Sequence, residues 1–244
     1  MRTTRVYVDL ELNSDREIVL PLGQSTHLLR VLRLRAGAAL TLFNGRGGEY
    51  AAELVGSSKS GARLAVRAHS PIERESPLAL TLLQGIARGD RMDVIVQKAT
   101  ELGVTRIVPL SCEFSVVRLD AANRQRRADH WRAVAIAACE QCGRNRLPEV
   151  EGIGDFSEAC RASSAQLRLM LLPQAPESLA NLAAAGLRSA ALLVGPEGGL
   201  SGREQLQAQS CGFRPCRLGP RILRTETASL AALAALQATA GDLG

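Results

Sequence analysis

The first quarter of the chain alternates short β-prone runs with clusters of turn-forming residues. Two of these clusters, Asn44–Gly48 and Ser57–Gly61, predict hairpin loops, because glycine and small polar residues supply the backbone angles of tight turns. One short helix is predicted over His27–Leu34. The β-prone runs predict five strands: Arg5–Asp9, Glu17–Leu20, Ala39–Phe43, Glu49–Val55 and Ala62–Ala68. The pattern therefore indicates a small β-barrel domain, followed by a linker at Ser70–Pro77.

Beyond residue 78 the pattern changes to strands that alternate with helices. Apolar runs predict strands at Leu78–Gln84, Thr105–Leu110, Leu167–Leu172, Ala190–Val194 and Arg214–Leu218. Helices are predicted over Arg91–Leu102, up to about Cys142, near Leu179–Ala185, after Ser201 and over Ala228–Ala240. This alternation predicts an α/β domain with a mostly parallel sheet and helices on both faces. We therefore expect two domains, residues 1–72 and 73–244.

The charge balance suits a polyanionic partner without requiring one. Lysine and arginine exceed aspartate and glutamate by 30 to 24, which gives a net charge of +6, and only Lys59 and Lys98 are lysines. No apolar stretch reaches the roughly 20 residues of a membrane-spanning helix, and the amino terminus lacks the apolar core of a signal peptide. A cytoplasmic location is therefore predicted.

Six cysteines are too few for a disulfide framework in a chain of 244 residues. Cys139 and Cys142 have the spacing of a redox or zinc motif, but they lie late in a helical pattern. Cys211 and Cys216 are poorly spaced to complete a metal site. We expect buried, reduced thiols and no bound metal.

Three loops that follow predicted strands contain unusual residues, and ligands of open α/β sheets bind at such loops. Gly195–Gly199 follows an apolar strand, and Ser201 with Glu204 predicts a capping box for the next helix. The glycines allow close approach of a ligand to the backbone, although a plain tight turn explains them equally well. The loop matches neither a P-loop nor a dinucleotide-binding fingerprint.

The second loop, Leu218–Ala228, joins the last predicted strand to the last helix. Thr225 or Thr227 is a candidate cap for that helix, and Glu226 suits its positive end. Capping leaves the apolar pair Ile222-Leu223 unexplained, and this pair is a candidate ligand-binding wall. The third loop begins after Leu172.

Several of these segments together resemble one known family, the 16S ribosomal RNA uridine N3-methyltransferases of the SPOUT (knotted) class. The segments, which span most of the chain, are His27–Leu34, Asn44–Glu49, Gln84–Leu110, Ala137–Val150, Leu192–Glu204 and Leu218–Leu243. The resemblance implies a PUA-like barrel followed by a trefoil-knotted sheet that binds S-adenosylmethionine. It also implies a homodimer that acts on 16S ribosomal RNA or on the 30S subunit.

Roles are also expected for individual residues. Arg224 is expected to stabilise the uracil anion, and Glu226 is either a general base or a residue that orders the cofactor loop. The expected cofactor-binding residues are Leu172, Pro173, Val194, Gly195, Pro196, Glu197, Gly198, Gly199, Leu218, Gly219, Ile222, Leu223, Thr227 and Ala228. The expected RNA-binding residues are Arg5, Arg30, Arg33, Arg88, Arg144 and Arg146.

One departure from the family pattern concerns RNA binding. Where the family usually has Ser-Glu-Arg, this chain has Cys112-Glu113-Phe114, so that arginine is missing, and Arg118 is a candidate substitute. Two alternatives stay open at this point. A knotted methyltransferase of a ribose hydroxyl or a tRNA base would keep the cofactor loops. A noncatalytic RNA-binding assembly factor would keep only the basic barrel.

Overall fold

A computed structural model describes residues 3–115 and 120–244 of the chain. The chain divides into two compact units. The first comprises Met1–Glu75 and Cys139–Leu147, and the second comprises Ser76–Ala138 and Pro148–Gly244. The segment Cys139–Leu147 thus packs with the amino-terminal residues, although it follows them by more than sixty positions in the sequence. The domain limits 1–72 and 73–244 stay a prediction.

The first unit is built on a five-stranded sheet in the order β1-β3-β4-β5-β2. Its strands are β1 Thr4–Tyr7, β2 Glu17–Val19, β3 Ala39–Phe43, β4 Glu49–Ser58 and β5 Gly61–Ser70. β1 runs parallel to β3, and the other pairs are antiparallel. Alternate residues point to one side of a strand, so Leu40 and Leu42 of β3 join Leu54 and Leu64 in one buried core.

The predicted helix His27–Leu34 begins earlier than expected and changes its winding. The α-helix α1 covers Leu22–Thr26, and a π-helical turn follows over His27–Val31. The backbone N–H of Leu32 donates to the carbonyl of His27, which is the wider spacing of a π-turn. Arg33 then adopts a left-handed backbone conformation with φ of 53°, which is uncommon for a residue with a side chain.

The second unit contains a seven-stranded sheet in which every pair is parallel. The strands are β6 Ala79–Gly85, β7 Val104–Ser111, β8 Glu149–Val150, β9 Gly154–Asp155, β10 Leu167–Leu171, β11 Ser189–Val194 and β12 Arg214–Cys216. Their order is β12-β10-β11-β6-β7-β8, and β9 also pairs with β7. The predicted α/β architecture with a parallel sheet is therefore confirmed.

Helices cover both faces of this sheet. They are α2 Arg91–Glu101, α3 Ala121–Cys142, α4 Phe156–Ala162, α5 Leu179–Leu182, α6 Gly202–Ser210 and α7 Thr225–Ala240. Leu82 of β6 packs with residues of α2 and α7 in one core, whereas the next residue, Leu83, packs with Phe156 of α4 and Phe213 in another. Neighbouring strand residues point to opposite faces of the sheet, and helices bury both faces. Successive residues are therefore apolar, which explains the nearly continuous apolar runs in these strands.

Helix starts were predicted with mixed success. Ser201 and Glu204 form the predicted capping box at the start of α6. The helix predicted to begin at Arg91 does begin there, but the preceding Asp90 is no side-chain cap, because its own backbone is helical and its side chain accepts no capping hydrogen bond. The last helix begins at Thr225, three residues before the predicted Ala228. The short elements β8, β9 and α4 were missed, since two-residue strands leave no periodic pattern.

Several global features bear on function. All six cysteines are free, and Cys112, Cys139, Cys160 and Cys216 are buried. Within residues 3–115 and 120–244, no helix is both long and apolar enough to cross a membrane. Over the same residues, no group of three or more histidine, cysteine or acidic side chains is placed to hold a metal ion.

Candidate active site

A cavity of about 420 Å³ lies in the second unit at the carboxyl ends of β10, β11 and β12. Its walls come from the three loops that follow these strands, together with Arg91 at the start of α2. Because the strands are parallel, their carboxyl ends lie at one edge of the sheet. The predicted cofactor residues in the walls are Leu172, Pro173, Val194, Gly195, Pro196, Glu197, Gly199, Leu218, Ile222, Leu223 and Ala228.

Three predicted cofactor residues lie outside the walls. Gly198 is exposed and faces Phe114, since a Cβ added to it would lie 2.8 Å from the Phe114 Cβ. Gly219 makes a turn with φ of 63°, and Thr227 is exposed on the first turn of α7. Gly198 therefore lies against Phe114 and does not line the cavity. Arg118, the candidate replacement for the missing family arginine, lies outside the described residues.

The loop after β11 is closely packed on two sides. A Cβ added to Gly195 would lie 2.9 Å from the carbonyl carbon of Gly199, and one added to Gly85 would lie 2.5 Å from Cδ of Pro196. Gly199 has φ of 73° and donates its N–H to the Pro196 carbonyl at 2.8 Å. The glycines thus permit a tight loop pressed against the end of β6.

Thr225 joins two of the cavity walls. Its hydroxyl donates to the carbonyl of Gly195 at 2.7 Å, which ties the start of α7 to the loop after β11. The N-cap of α7 is Arg224, not Thr225 or Thr227, and no side chain makes a capping hydrogen bond there. The prediction that a threonine caps this helix is therefore wrong, because the Thr225 hydroxyl is engaged by the neighbouring loop.

Arg91 is a wall residue that the sequence-based interpretation missed. Its Nη1 lies 2.5 Å from Oε1 of Glu197, and its Nε lies 3.7 Å from Oε1 of Glu226. It therefore links Glu197 of the loop after β11 to Glu226 in the first turn of α7. Its position at the carboxyl end of β6 was the available signal, since the loops after parallel strands line such sites.

Glu197 is held ionised by its neighbours. Partial burial raises the pKa of its carboxyl, but hydrogen bonds from the Arg88 backbone N–H and the Arg91 side chain outweigh burial and lower the pKa below its usual value. Cys216 shows the opposite behaviour, because burial raises the pKa of its thiol to about 12. Cys216 is therefore a neutral wall residue at physiological pH and not a nucleophile.

Glu226 carries the clearest sign of a missing ligand. Its Oε2 atom is buried and has no hydrogen-bond partner among the residues that the structure describes. A buried carboxylate oxygen without a donor is costly, and buried polar atoms in proteins are almost always paired. Glu226 lies in the cavity wall, so a ligand donor that reached this acceptor would pair it. The lining as a whole fits a small molecule with polar groups on an apolar body.

Arg221 and Arg224 bring positive charge to the same cavity. Both residues are exposed, and within the described parts of the chain neither forms an ion pair or a side-chain hydrogen bond. Glu226 forms its ion pair with Arg91, at 3.7 Å, and not with the adjacent Arg224. Two unpaired guanidinium groups at the cavity favour an anionic substrate next to the enclosed ligand.

The six arginines predicted to bind RNA differ in availability. Arg30 and Arg33 of the first unit and Arg88 of the second are exposed. Arg146 is exposed but pairs with Glu73 at 2.9 Å. For the remaining two, Arg5 and Arg144, the prediction of RNA binding requires a correction.

Arg5 and Arg144 are structural residues of the first unit. The Arg5 side chain is 9% exposed and contacts Glu49 at 2.5 Å and Oδ1 of Asn145 at 2.7 Å. The Arg144 side chain is 5% exposed and pairs with Glu75 at 2.6 Å. Both guanidinium groups are occupied in holding the segment that contains Asn145 to the unit, so their predicted contact with RNA phosphates lacks support.

Comparisons with known proteins agree with this architecture. Residues 74–237 match a family described as the RNA methyltransferase domain, and residues 23–66 match the RNA methyltransferase PUA domain. Ribosomal RNA small subunit methyltransferase E of Buchnera aphidicola is 32% identical over 99% of this chain and 98% of its own.

Two solved structures are similar over their full length. A methyltransferase of Legionella pneumophila in complex with S-adenosylmethionine superposes with a TM-score of 0.95 at 37% identity, covering 100% of both chains. Ribosomal RNA small subunit methyltransferase E of Neisseria gonorrhoeae, bound to S-adenosylmethionine, gives a TM-score of 0.91 at 37% identity over 100% of both chains. These matches confirm the predicted SPOUT-type fold preceded by a PUA-like domain. The chain therefore belongs to the family of ribosomal RNA small subunit methyltransferase E.

Proposed function

We propose that this protein transfers the methyl group of S-adenosylmethionine to N3 of a uridine in 16S ribosomal RNA, in the cytoplasm. The observation that carries the proposal is the cavity built from three strand-end loops. Glu226 lies in its wall, with a buried Oε2 that has no partner among the described residues, and Arg221 and Arg224 lie beside it. Full-length relatives named as ribosomal RNA small subunit methyltransferase E support it, and one of them, from Neisseria gonorrhoeae, is solved with S-adenosylmethionine.

The cavity fits S-adenosylmethionine chemically. Leu172, Val194 and Leu218 supply apolar surface from three separate loops, and Leu223 adds to it from the start of α7. The Glu226 oxygen is an acceptor for a hydroxyl or ammonium group of the cofactor or for the imide N–H of the target base. When bound, the cofactor supplies an electrophilic methyl group on its sulfonium.

The residues of this chain would then position the base and manage its charge. Removal of the uridine N3 proton leaves negative charge on the uracil carbonyl oxygens, and the unpaired Arg224 guanidinium is the group proposed to stabilise it. Glu226 either accepts that proton or orders the cofactor, and both roles use its free oxygen. Alignment of the nucleophile with the methyl group contributes on the order of 7–11 kcal/mol in favourable cases.

The assay that tests the proposal uses the purified full-length chain. Incubation with S-adenosylmethionine and small subunits from a strain that lacks the modification is expected to yield 16S RNA with one N3-methyluridine, detected by mass spectrometry of nuclease fragments. Free 16S RNA in a parallel reaction tests whether the substrate is naked RNA or the 30S particle. Methylation of a ribose hydroxyl, methylation of tRNA, or no methylation would contradict the proposal.

The exposed arginines of the first unit are proposed to bind RNA phosphates. Replacing Arg30 by Ala and Arg33 by Asn, which tolerates the left-handed backbone of position 33, should weaken RNA binding. Two lost phosphate contacts should reduce the slope of log affinity against log salt by about two. Arg67→Ala is the matched control, because Arg67 is already paired with Glu53. An unchanged slope in the double variant would exclude these contacts.

A homodimer, which the family resemblance implies, remains part of the proposal, but the apolar side chains of α7 are no argument for it. Leu233 and Leu236 are completely buried in the core of the protomer itself, so the helix covers its own sheet. Multi-angle light scattering at micromolar concentration is expected to give twice the mass of 26.0 kDa. A monomer under those conditions would contradict the dimer while leaving the cofactor site unaffected.

A further inference from the structure

Three buried polar side chains lie directly behind the cavity. Gln84, near the end of β6, and Ser229, in α7, are completely buried, and Thr225 is 6% exposed. Only Thr225 belongs to the cavity wall. Buried amides and hydroxyls destabilise a fold unless their donors and acceptors are paired, so the pairing of these groups is informative.

Their hydrogen bonds form a chain that runs in one direction. The Ser229 hydroxyl donates to Oε1 of Gln84 at 2.5 Å, and Nε2 of Gln84 donates to the Thr225 hydroxyl at 3.1 Å. The Thr225 hydroxyl in turn donates to the carbonyl of Gly195 at 2.7 Å. Hydrogen bonds arranged head to tail in this way polarise and strengthen one another in a low-dielectric interior.

The orientation of the Gln84 amide sets this direction. Its Nε2 also donates to the Gly85 carbonyl at 2.9 Å, and a flipped amide would place its oxygen against that carbonyl oxygen instead. With the nitrogen facing Thr225, the acceptor side of the threonine hydroxyl is occupied. Its single hydrogen therefore goes to Gly195.

We propose that Gln84 is a positioning residue for the cofactor cavity, acting through Thr225 to hold the Gly195 carbonyl. The chain of bonds connects the end of β6, the loop after β11 and the first turn of α7, and it thereby sets the spacing of two cavity walls. Arg224 and Glu226 flank Thr225 directly, so the same bonds fix the backbone that carries both of them. The inference rests on the proposed function, because it takes the cavity to be the cofactor site.

Four substitutions separate this role from ordinary packing. Gln84→Met and Thr225→Val keep similar side-chain volumes but break the hydrogen bonds that run from Gln84 through Thr225 to Gly195 (the relay). Thr225→Ser keeps the hydroxyl. Ser229→Ala removes only the first bond of the chain, because the Gly85 carbonyl still holds the Gln84 amide in place. The measurements are the S-adenosylmethionine Kd by calorimetry, the KM for each substrate, and the Tm.

Gln84→Met and Thr225→Val are each expected to weaken S-adenosylmethionine binding about tenfold, the scale of a broken buried hydrogen-bond chain. Their double variant should bind no worse than either single variant, because both break the same relay. Thr225→Ser should bind like the wild type, and Ser229→Ala should lose less than about threefold. The KM for RNA should stay within about twofold of the wild-type value in all four variants.

Two results would overturn the inference. One is wild-type cofactor affinity in a folded Gln84→Met or Thr225→Val variant. The other is losses that add in the double variant, which would mean that the two residues act independently. Absence of cofactor binding by the wild-type chain would instead refute the proposed function, and the inference would fall with it.

Discussion

Replacing Gly195 by Val is expected to abolish detectable S-adenosylmethionine binding in calorimetric titration. A Cβ at this position would lie 2.9 Å from the carbonyl carbon of Gly199 and 3.1 Å from the backbone nitrogen of Leu200. Backbone atoms cannot rotate away as the end of a flexible side chain can, so the loop after β11 must move. Displacements of about 1 Å in such sites cost on the order of 10²-fold.

The control for this substitution is Gly202→Val. Gly202 begins α6 seven positions after Gly195, and a Cβ added there would meet nothing within 4 Å. It should bind the cofactor with wild-type affinity, apart from a small loss of stability. If Gly195→Val remains folded by circular dichroism and binds S-adenosylmethionine normally, the cavity is not the cofactor site.

The position of the candidate site could be predicted because parallel sheets bring strand ends together. The loops that begin at Pro173, Gly195 and Leu218 are far apart in sequence, yet each follows an apolar strand, and all three line one cavity. The same rule applied to β6 would have found Arg91. It was overlooked because Arg91 lies at the start of the predicted helix Arg91–Leu102 and not in the loop before it.

The roles of individual arginines were less predictable, since charge in a sequence does not reveal the pairing partner. Arg144 pairs with Glu75, 69 residues earlier in the chain, and Arg5 contacts Asn145, 140 residues later. Such long-range pairs depend on the packing of Cys139–Leu147 into the first unit, which no local pattern indicates.

The predictions of a knotted chain and of the methylated base did not come from sequence pattern or spacing. Pattern and spacing predict alternating strands and helices, but they give no reason to expect a knotted chain, since knots are almost absent from protein folds. Both expectations came from the resemblance of segments such as Leu192–Glu204 and Leu218–Leu243 to a known family. Substrate chemistry therefore has to be tested through the side chains that face the substrate, and Arg224 is the first of these.

Arg224→Ala is expected to lower kcat and kcat/KM together by about two to three orders of magnitude, the scale of a lost donor to a developing anion. The structure removes the simplest competing role for this arginine. Glu226 lies 3.7 Å from Arg91, and Arg224 forms no ion pair with any residue in 3–115 or 120–244. Its loss should therefore leave the S-adenosylmethionine Kd and the Tm nearly unchanged.

Arg221→Ala provides the comparison, because Arg221 is an exposed and unpaired arginine of the same loop and the same cavity. If Arg224 stabilises the uracil anion, its loss should act on kcat, whereas loss of Arg221 should act mainly on the KM for RNA. Arg224 is the N-cap of α7, at the fixed junction next to Thr225, whereas Arg221 follows the turn at Gly219. Equal increases in the RNA KM of both variants, with kcat preserved, would show that the loop only attracts phosphate. Loss of cofactor affinity or of Tm in proportion to activity would instead make Arg224 part of the scaffold.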